Sequence, residues 1–246
     1  MQRAQSPPPK PVTELWRPDL VRLPELTPGR LRLRSFMRAL IKAVVRICLV
    51  TEIRGLENFP AHGPALIVTN HLGDADAVLM AAVLPPGLEA LGKIELYYLP
   101  VLGKIMDMYG IIWLHRGQPD RRALRAALQG LAEGRMVSIA PEGRESLVRG
   151  LEHGMNGAAF LARKAGVPVV PVVLTGTENA QIYGCLRRLQ PVHVSLTVGQ
   201  SFLLSDQPGG HNMPRSLEAD THRIMESLAA LLPPEYRGVY SGRLRS

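Results

Sequence analysis

Aromatic residues are scarce, with Phe, Trp and Tyr making up 5 % of 246 residues. Nucleic-acid binders that stack bases on several exposed rings are therefore disfavoured. The two cysteines, Cys48 and Cys185, are far apart and outside any CxxC spacing, which excludes a disulfide framework and a zinc knuckle and reads as two reduced packing residues of a cytosolic protein. The opening stretch MQRAQSPPPKPVTELW lacks the apolar core of an export signal. No serine sits in a G-x-S-x-G elbow, and HExxH, a Walker P-loop and GxGxxG are all missing. A catalytic reading must rest on an imidazole without an obvious protein nucleophile. No internal period suggests a repeat fold.

What is present is a chain with 46 % apolar residues, enough for a sizeable core, and a net charge of +8. That charge calls for an acidic partner, such as an anionic membrane, a phosphorylated substrate, an acidic carrier protein or nucleic acid. Seven prolines at positions 7, 8, 9, 11, 18, 24 and 28 make residues 1–29 an extended arm. Residues 30–54 read as a basic amphipathic helical segment, with Arg30, Arg34, Arg38, Lys42 and Arg46 spaced four apart beside Leu, Phe, Ile and Val. Such a helix either lies among lipid headgroups, its cations on phosphates, or packs on the core with its basic face in water.

From Gly55 short β-branched runs alternate with helical ones. ALIVT, GIIWL, MVSIA, VPVVPVVL and VHVSLTVG read as strands. DAVLMAAVL, QPDRRALRAALQGLAEG with Pro119 in its first turn, GAAFLARKAG closed by Gly166, and LEADTHRIMESLAALL starting near Pro214 read as helices. The alternation predicts an α/β layered domain over 55–232, a central mostly parallel sheet flanked by helices, followed by a polar tail at 233–246.

The run TNHLGDADAV places His71 at the C-terminal end of a strand, where α/β sheets collect ligands. There an imidazole can take a proton from a bound hydroxyl, given a carboxylate to fix its tautomer. On an ideal helix Asp74 lies nearer the face of His71 than Asp76, but Gly73 lets the chain turn, so both remain candidates. The plainer alternative is a turn histidine with either aspartate as helix N-cap. Two further strand ends carry APEGRES, with Glu142 and Gly143, and Arg116 after GIIWLH. A base, an acid and a cation thus converge on one sheet edge.

These blocks resemble the glycerolipid acyltransferase family, which includes lysophosphatidic acid and glycerol-3-phosphate acyltransferases, over roughly Gly55 to Val198. NHLGDAD is similar to the family's N-H-x-[SG]-x-x-D block (HxxxxD), which implies His71 as general base and Asp76 as its partner. The resemblance further implies Arg116, Glu142, Gly143 and Lys93 on the acceptor side, and Val167, Pro168 and Pro171 of VPVVPVVLTGTE on the acyl-donor side. APEGRES departs from the family's F-P-E-G-T-R-S by placing Glu145 where the arginine would sit, with Arg144 as the neighbouring source of the missing cation. The activity implied is acyl transfer from acyl-coenzyme A or acyl carrier protein to the hydroxyl of a lysophospholipid such as lysophosphatidic acid. Direct attack by the acceptor needs no acyl-enzyme, metal or cofactor, and backbone amides near Gly73 or Gly143 are candidates to receive the oxyanion. Membrane lipids are the expected partners, nucleic acid is not, and the expected location is peripheral or monotopic on the cytoplasmic face of a membrane. A thioester hydrolase and a catalytically silent lipid-binding protein of the same fold are the alternatives. His115 adjoins Arg116 and is placed near the site, whereas His62, His153, His193, His211 and His222 read as surface or packing residues. Trp113 reads as core, and Trp16 as a membrane-interface residue of the arm.

Overall fold

A computed structural model describes residues 12–14, 16–116, 120–204 and 216–242. The strands are β1 (Leu49–Arg54), β2 (Ala65–Thr69), β3 (Leu88–Lys93), β4 (Ile112–Leu114), β5 (Met136–Ile139), β6 (Val169–Thr175) and β7 (Val192–Val198). The helices are α1 (Pro28–Cys48), α2 (Ala75–Val83), α3 (Leu102–Tyr109), α4 (Arg121–Ala132), α5 (Gly157–Ala165), α6 (Asn179–Arg187) and α7 (Leu217–Leu231). All seven strands join one sheet in the order β1-β7-β6-β2-β5-β3-β4. Every pairing is parallel except β6 with β7. The mostly parallel α/β sheet is the fold class the sequence predicts.

The strand ALIVT shows why its residues are all apolar or small. All five are buried, because both faces of β2 are covered. Leu66 and Val68 pack into a core shared with α4, α5 and α7, while Ala65 and Ile67 face a second core shared with α1, α2 and α6. Since β2, β5, β3 and β4 run parallel side by side, the segments that leave their C-terminal ends emerge along one edge. Those segments begin at Asn70, Ala140, Ile94 and His115.

Three boundary expectations need correction. First, the helical segment 30–54 divides: α1 stops at Cys48, and LVTEIR becomes edge strand β1, paired with β7 from Leu49 opposite Val192. Its β-branched residues suit a strand, and β7 offers an edge to join. Second, the arm is not detached where it is described. Leu20 and Val21 are buried, and Thr13 and Arg116 exchange hydrogen bonds, Thr13 N–H to the Arg116 carbonyl at 3.0 Å and Arg116 N–H to Thr13 Oγ1 at 2.7 Å. Third, residues 233–242 belong to the domain, with Tyr236 and Tyr240 buried and Leu151 N–H donating to the Tyr236 carbonyl at 3.0 Å. Pro119, His211, Pro214 and, in the proline-rich arm, residues 1–11 and 15 lie outside the described residues.

The basic stripe of α1 is also turned around. Arg30 donates to the carbonyls of Glu25 and Met108, and Arg38 to those of Ala81 and Leu84. Arg34 reaches the carbonyls of Tyr109 and Gly110, both at 2.7 Å, and pairs with fully buried Glu89 at 2.8 Å. These arginines satisfy the orphan carbonyls at the C-terminal ends of α2 and α3, where cations are favoured. The exposed face instead carries Phe36, Leu40, Val44 and Ile47, with Ile47 78 % exposed. Arg32, Lys42 and Arg46 are exposed beside them.

Candidate active site

Gly73 breaks the path from β2 to α2, because a side chain there would run into Asn179 Oδ1 at 2.6 Å and the Thr177 carbonyl at 2.7 Å. The turn it permits lets the Asp76 carboxylate fold back over the chain that precedes it. Asp76 Oδ2 accepts three hydrogen bonds, from Leu72 N–H at 2.7 Å, Gly73 N–H at 3.0 Å and the His71 ring at Nδ1, 2.7 Å away. The ring proton is thereby placed on Nδ1, leaving Nε2 with a free lone pair. Asp74 points elsewhere and accepts from the Tyr183 hydroxyl at 2.9 Å. The structure thus brings Asp76, and not Asp74, to His71.

The backbone of His71 is pinned by the loop after β5. Its N–H donates to Glu142 Oε1 at 3.1 Å, and its carbonyl accepts from Ser146 N–H at 2.7 Å. Glu142 is 1 % exposed, and its other oxygen accepts from Glu152 N–H at 2.8 Å. Burial pushes its carboxyl up to about 7, against the pull of those two N–H donors. Glu142 therefore acts through His71 as a positioning residue and does not line the cleft. On the other side Asn70 donates to the Leu174 carbonyl and accepts from Leu174 N–H, at 2.9 and 2.8 Å, extending the β2–β6 pairing by one rung.

His71 opens onto a cleft of about 750 Å³ lined by residues of β3, β4, β5, α4 and α5. Leu91, Leu114, Leu124, Leu128, Ile139 and Phe160 make most of it apolar. Lys93 and Arg116 line it near the strand ends, Gly143 lines the loop after β5, and Arg121 and Arg125 come from the exposed start of α4. The Arg116 side chain has no hydrogen bond or ion pair among the described residues. Burial lowers its pKa, with Glu95 and Glu145 acting in the opposite sense. A half-buried guanidinium without a partner suits an anion brought by a ligand. Glu145 stands at the base itself, 4.0 Å from His71 Nε2, 3.7 Å from Lys93 Nζ, and held by Asn179 Nδ2 at 3.1 Å.

Several expected roles are not met by the geometry. Arg144 does not supply a cation to the cleft, since it is 5 % exposed and paired with buried Glu152 at 2.7 Å. Val167 and Pro171 are buried around the start of β6, and neither they nor Pro168 line the cleft, because that strand faces the two cores. The Gly73 and Gly143 amides are engaged, Gly73 with Asp76 and Gly143 with the Ala140 carbonyl at 3.1 Å. His115 does line the cleft and, with Asp120, repeats the five-residue spacing of His71 and Asp76. Its Nδ1 lies 2.8 Å from Asp120 Oδ2, but its Nε2 accepts Arg17 N–H at 3.0 Å, so the second pair anchors the arm and has no nitrogen to spare. Trp16 lies against that ring, with centroids 4.6 Å apart. Among the described residues no group of three or more His, Cys, Asp or Glu can hold a metal ion.

Residues 50–175 match the family model described as Acyltransferase. The 1-acyl-sn-glycerol-3-phosphate acyltransferase of Salmonella typhimurium is 31 % identical over 190 residues, 76 % of each chain. The chloroplastic 1-acyl-sn-glycerol-3-phosphate acyltransferase BAT2 of Brassica napus is 34 % identical over 130 residues, 52 % of this chain. The chain spans only 38 %, 54 % and 44 % of the length of three plant and algal relatives. Among solved structures, the 1-acyl-sn-glycerophosphate (LPA) acyltransferase PlsC of Thermotoga maritima shares the fold at a TM-score of 0.59, with 22 % identity over 84 % of both chains.

Proposed function

Because the chain belongs to the Acyltransferase family, we propose that it moves a fatty acyl group from an acyl thioester, acyl-coenzyme A or acyl carrier protein, to the hydroxyl of a lysophospholipid. Lysophosphatidic acid is the member of that class its relatives' names supply. The observation that carries the reading is His71, held by Asp76 through Nδ1 at 2.7 Å with Nε2 open to an apolar cleft. In the step inferred, Nε2 takes the acceptor's hydroxyl proton as the oxygen attacks the thioester carbonyl. The C–O bond forms, the C–S bond breaks, and the proton passes from the imidazolium to the departing thiolate. Arg116 holds the acceptor phosphate, the apolar wall holds the acyl chain, and Arg121 and Arg125 meet the anionic donor at the rim.

The outward face of α1 supports membrane contact. Phe36, Leu40, Val44 and Ile47 form an apolar arc with Arg32, Lys42 and Arg46 beside it, the arrangement of a helix lying in an interface. No helix among the described residues is long and apolar enough to cross a bilayer. The apolar arc of α1 supports the proposal that the protein works as a peripheral or monotopic enzyme on the cytoplasmic face of a membrane.

The test is release of coenzyme A from palmitoyl-coenzyme A in detergent micelles, with and without a panel of lysophospholipids that includes lysophosphatidic acid. Wild type is expected to release coenzyme A only with acceptor, and His71→Ala to lose about 10²- to 10⁴-fold in rate. Release that ignores the acceptor would make the protein a hydrolase, and turnover untouched by His71→Ala would remove the imidazole from the mechanism.

A further inference from the structure

The acceptor end of the cleft holds balanced charge. Lys93 and Arg116 supply two cations, and the two carboxylates whose fields act on Arg116 are Glu95 and Glu145. One of them, Glu145, is already within 3.7 Å of the lysine. A buried oxygen of the other, Glu95 Oε2, has no hydrogen-bond partner. A phosphomonoester carries between one and two negative charges near neutral pH. Binding it here sets it against a carboxylate at the base.

The position of Glu145 sharpens the point. An acceptor hydroxyl hydrogen-bonded to His71 Nε2 lies beside a carboxylate 4.0 Å from the same nitrogen. That carboxylate is not adventitiously placed, because Asn179 fixes it at 3.1 Å while also accepting Asp74 N–H at 2.9 Å. It is about one-quarter exposed, as is Lys93. Glu145 is not itself among the residues that line the cleft, but a part-exposed carboxylate 4.0 Å from the base and 3.7 Å from the lysine of the cleft wall favours positive charge on the acceptor.

Resting on the acyltransferase reading above, we propose that Glu145 determines headgroup choice, and that the acceptor is a zwitterionic lysophospholipid whose phosphodiester meets Arg116 and whose ammonium meets Glu145. The phosphodiester brings one negative charge and the ammonium one positive, so a neutral headgroup enters a neutral end of the cleft. Arg121 and Arg125 also line the cleft, from the exposed start of α4, and are assigned to the anionic donor rather than to the headgroup.

The experiment compares 1-palmitoyl-lysophosphatidylethanolamine with 1-palmitoyl-lysophosphatidic acid in detergent micelles. Palmitoyl-coenzyme A and palmitoyl-acyl carrier protein serve in turn as donors, with wild type, Glu145→Gln and Glu145→Arg. Wild type is expected to favour the ethanolamine lipid by about tenfold in kcat/KM, the factor a single charged contact commonly commands. Glu145→Gln brings the ratio near one, and Glu145→Arg inverts it, each with thermal unfolding close to wild type. Equal use of the two lipids, a preference for lysophosphatidic acid, or a loss in Glu145→Gln that is the same for both overturns the headgroup assignment and leaves acyl transfer standing. Failure of wild type to acylate either lipid from either donor overturns the acyltransferase reading, and this inference with it.

Discussion

At one oxygen, Asp76 collects hydrogen bonds from a ring nitrogen and two backbone amides. Asp76→Asn keeps the shape and one acceptor oxygen but removes the negative charge that stabilises the imidazolium formed as His71 takes the proton. Its kcat is expected to fall by about 10²- to 10⁴-fold with circular dichroism unchanged; a near-normal kcat would remove the pair from the chemistry. Glu142 makes a prediction about pH. Burial holds its carboxyl at about 7, above the ordinary 4.5, so the native state keeps a proton that the unfolded chain releases. The stability this group contributes is full below about 4.5, is lost as pH rises through about 7, and is constant above. Urea unfolding of wild type and Glu142→Gln at pH 5 and pH 8 should show wild type losing ground against the variant at the higher pH; parallel shifts would contradict the assignment.

The elements divide the work of α1 between its two faces. Arg34→Ala leaves buried Glu89 with Arg135, at 3.4 Å, as its one remaining ion-pair partner among the described residues. We expect a loss of about 3 kcal/mol in chemical denaturation, the scale for breaking a buried pair. Ile47→Asp lies on the outer face and should leave the unfolding midpoint within error while weakening sedimentation with anionic liposomes. Loss of stability without loss of binding would reverse the assignment of the faces. Because Val45 and Arg34 belong to the interior, deleting the helix would not isolate a membrane effect; point variants do.

These elements also show what was legible beforehand. β2, β5 and β6 were readable because strands covered on both faces demand near-continuous apolar runs, and β7 because VHVSLTV alternates apolar and polar residues. β3 was not, since LEALGK has neither alternation nor β-branching and becomes a strand only because it lies between β5 and β4. The inward turn of Arg30, Arg34 and Arg38 was hidden too, because their spacing is the same whether they face lipid or carbonyl oxygens. At the site, His71 was legible from its strand end, but the residues alone left Asp74 and Asp76 open. The turn at Gly73 decides between them, and only the fold shows it.

At the scale of the whole molecule, a net charge of +8 combines with the apolar face of α1. Electrostatic attraction to an anionic bilayer is screened over about 10 Å at 0.1 M salt and about 3 Å at 1 M, whereas apolar insertion is not. Binding to anionic vesicles should weaken between those two salt concentrations without vanishing. Complete release at 1 M would mean that charge alone holds the protein to lipid.

The sheet order also sets a clock. β1 is the first strand of this sheet to be made, yet among the described residues the one strand beside it is β7, so Leu49 must wait for Val192, 143 residues later. At the roughly 5–20 residues per second of ribosomal synthesis, that interval is on the order of ten seconds. For that interval β1 has no strand to pair with, although α2, α3 and Glu89, against which the inner face of α1 packs, are already made. A nascent chain in that condition is a substrate for chaperones, and for any bilayer close to the ribosome, well before it is an enzyme.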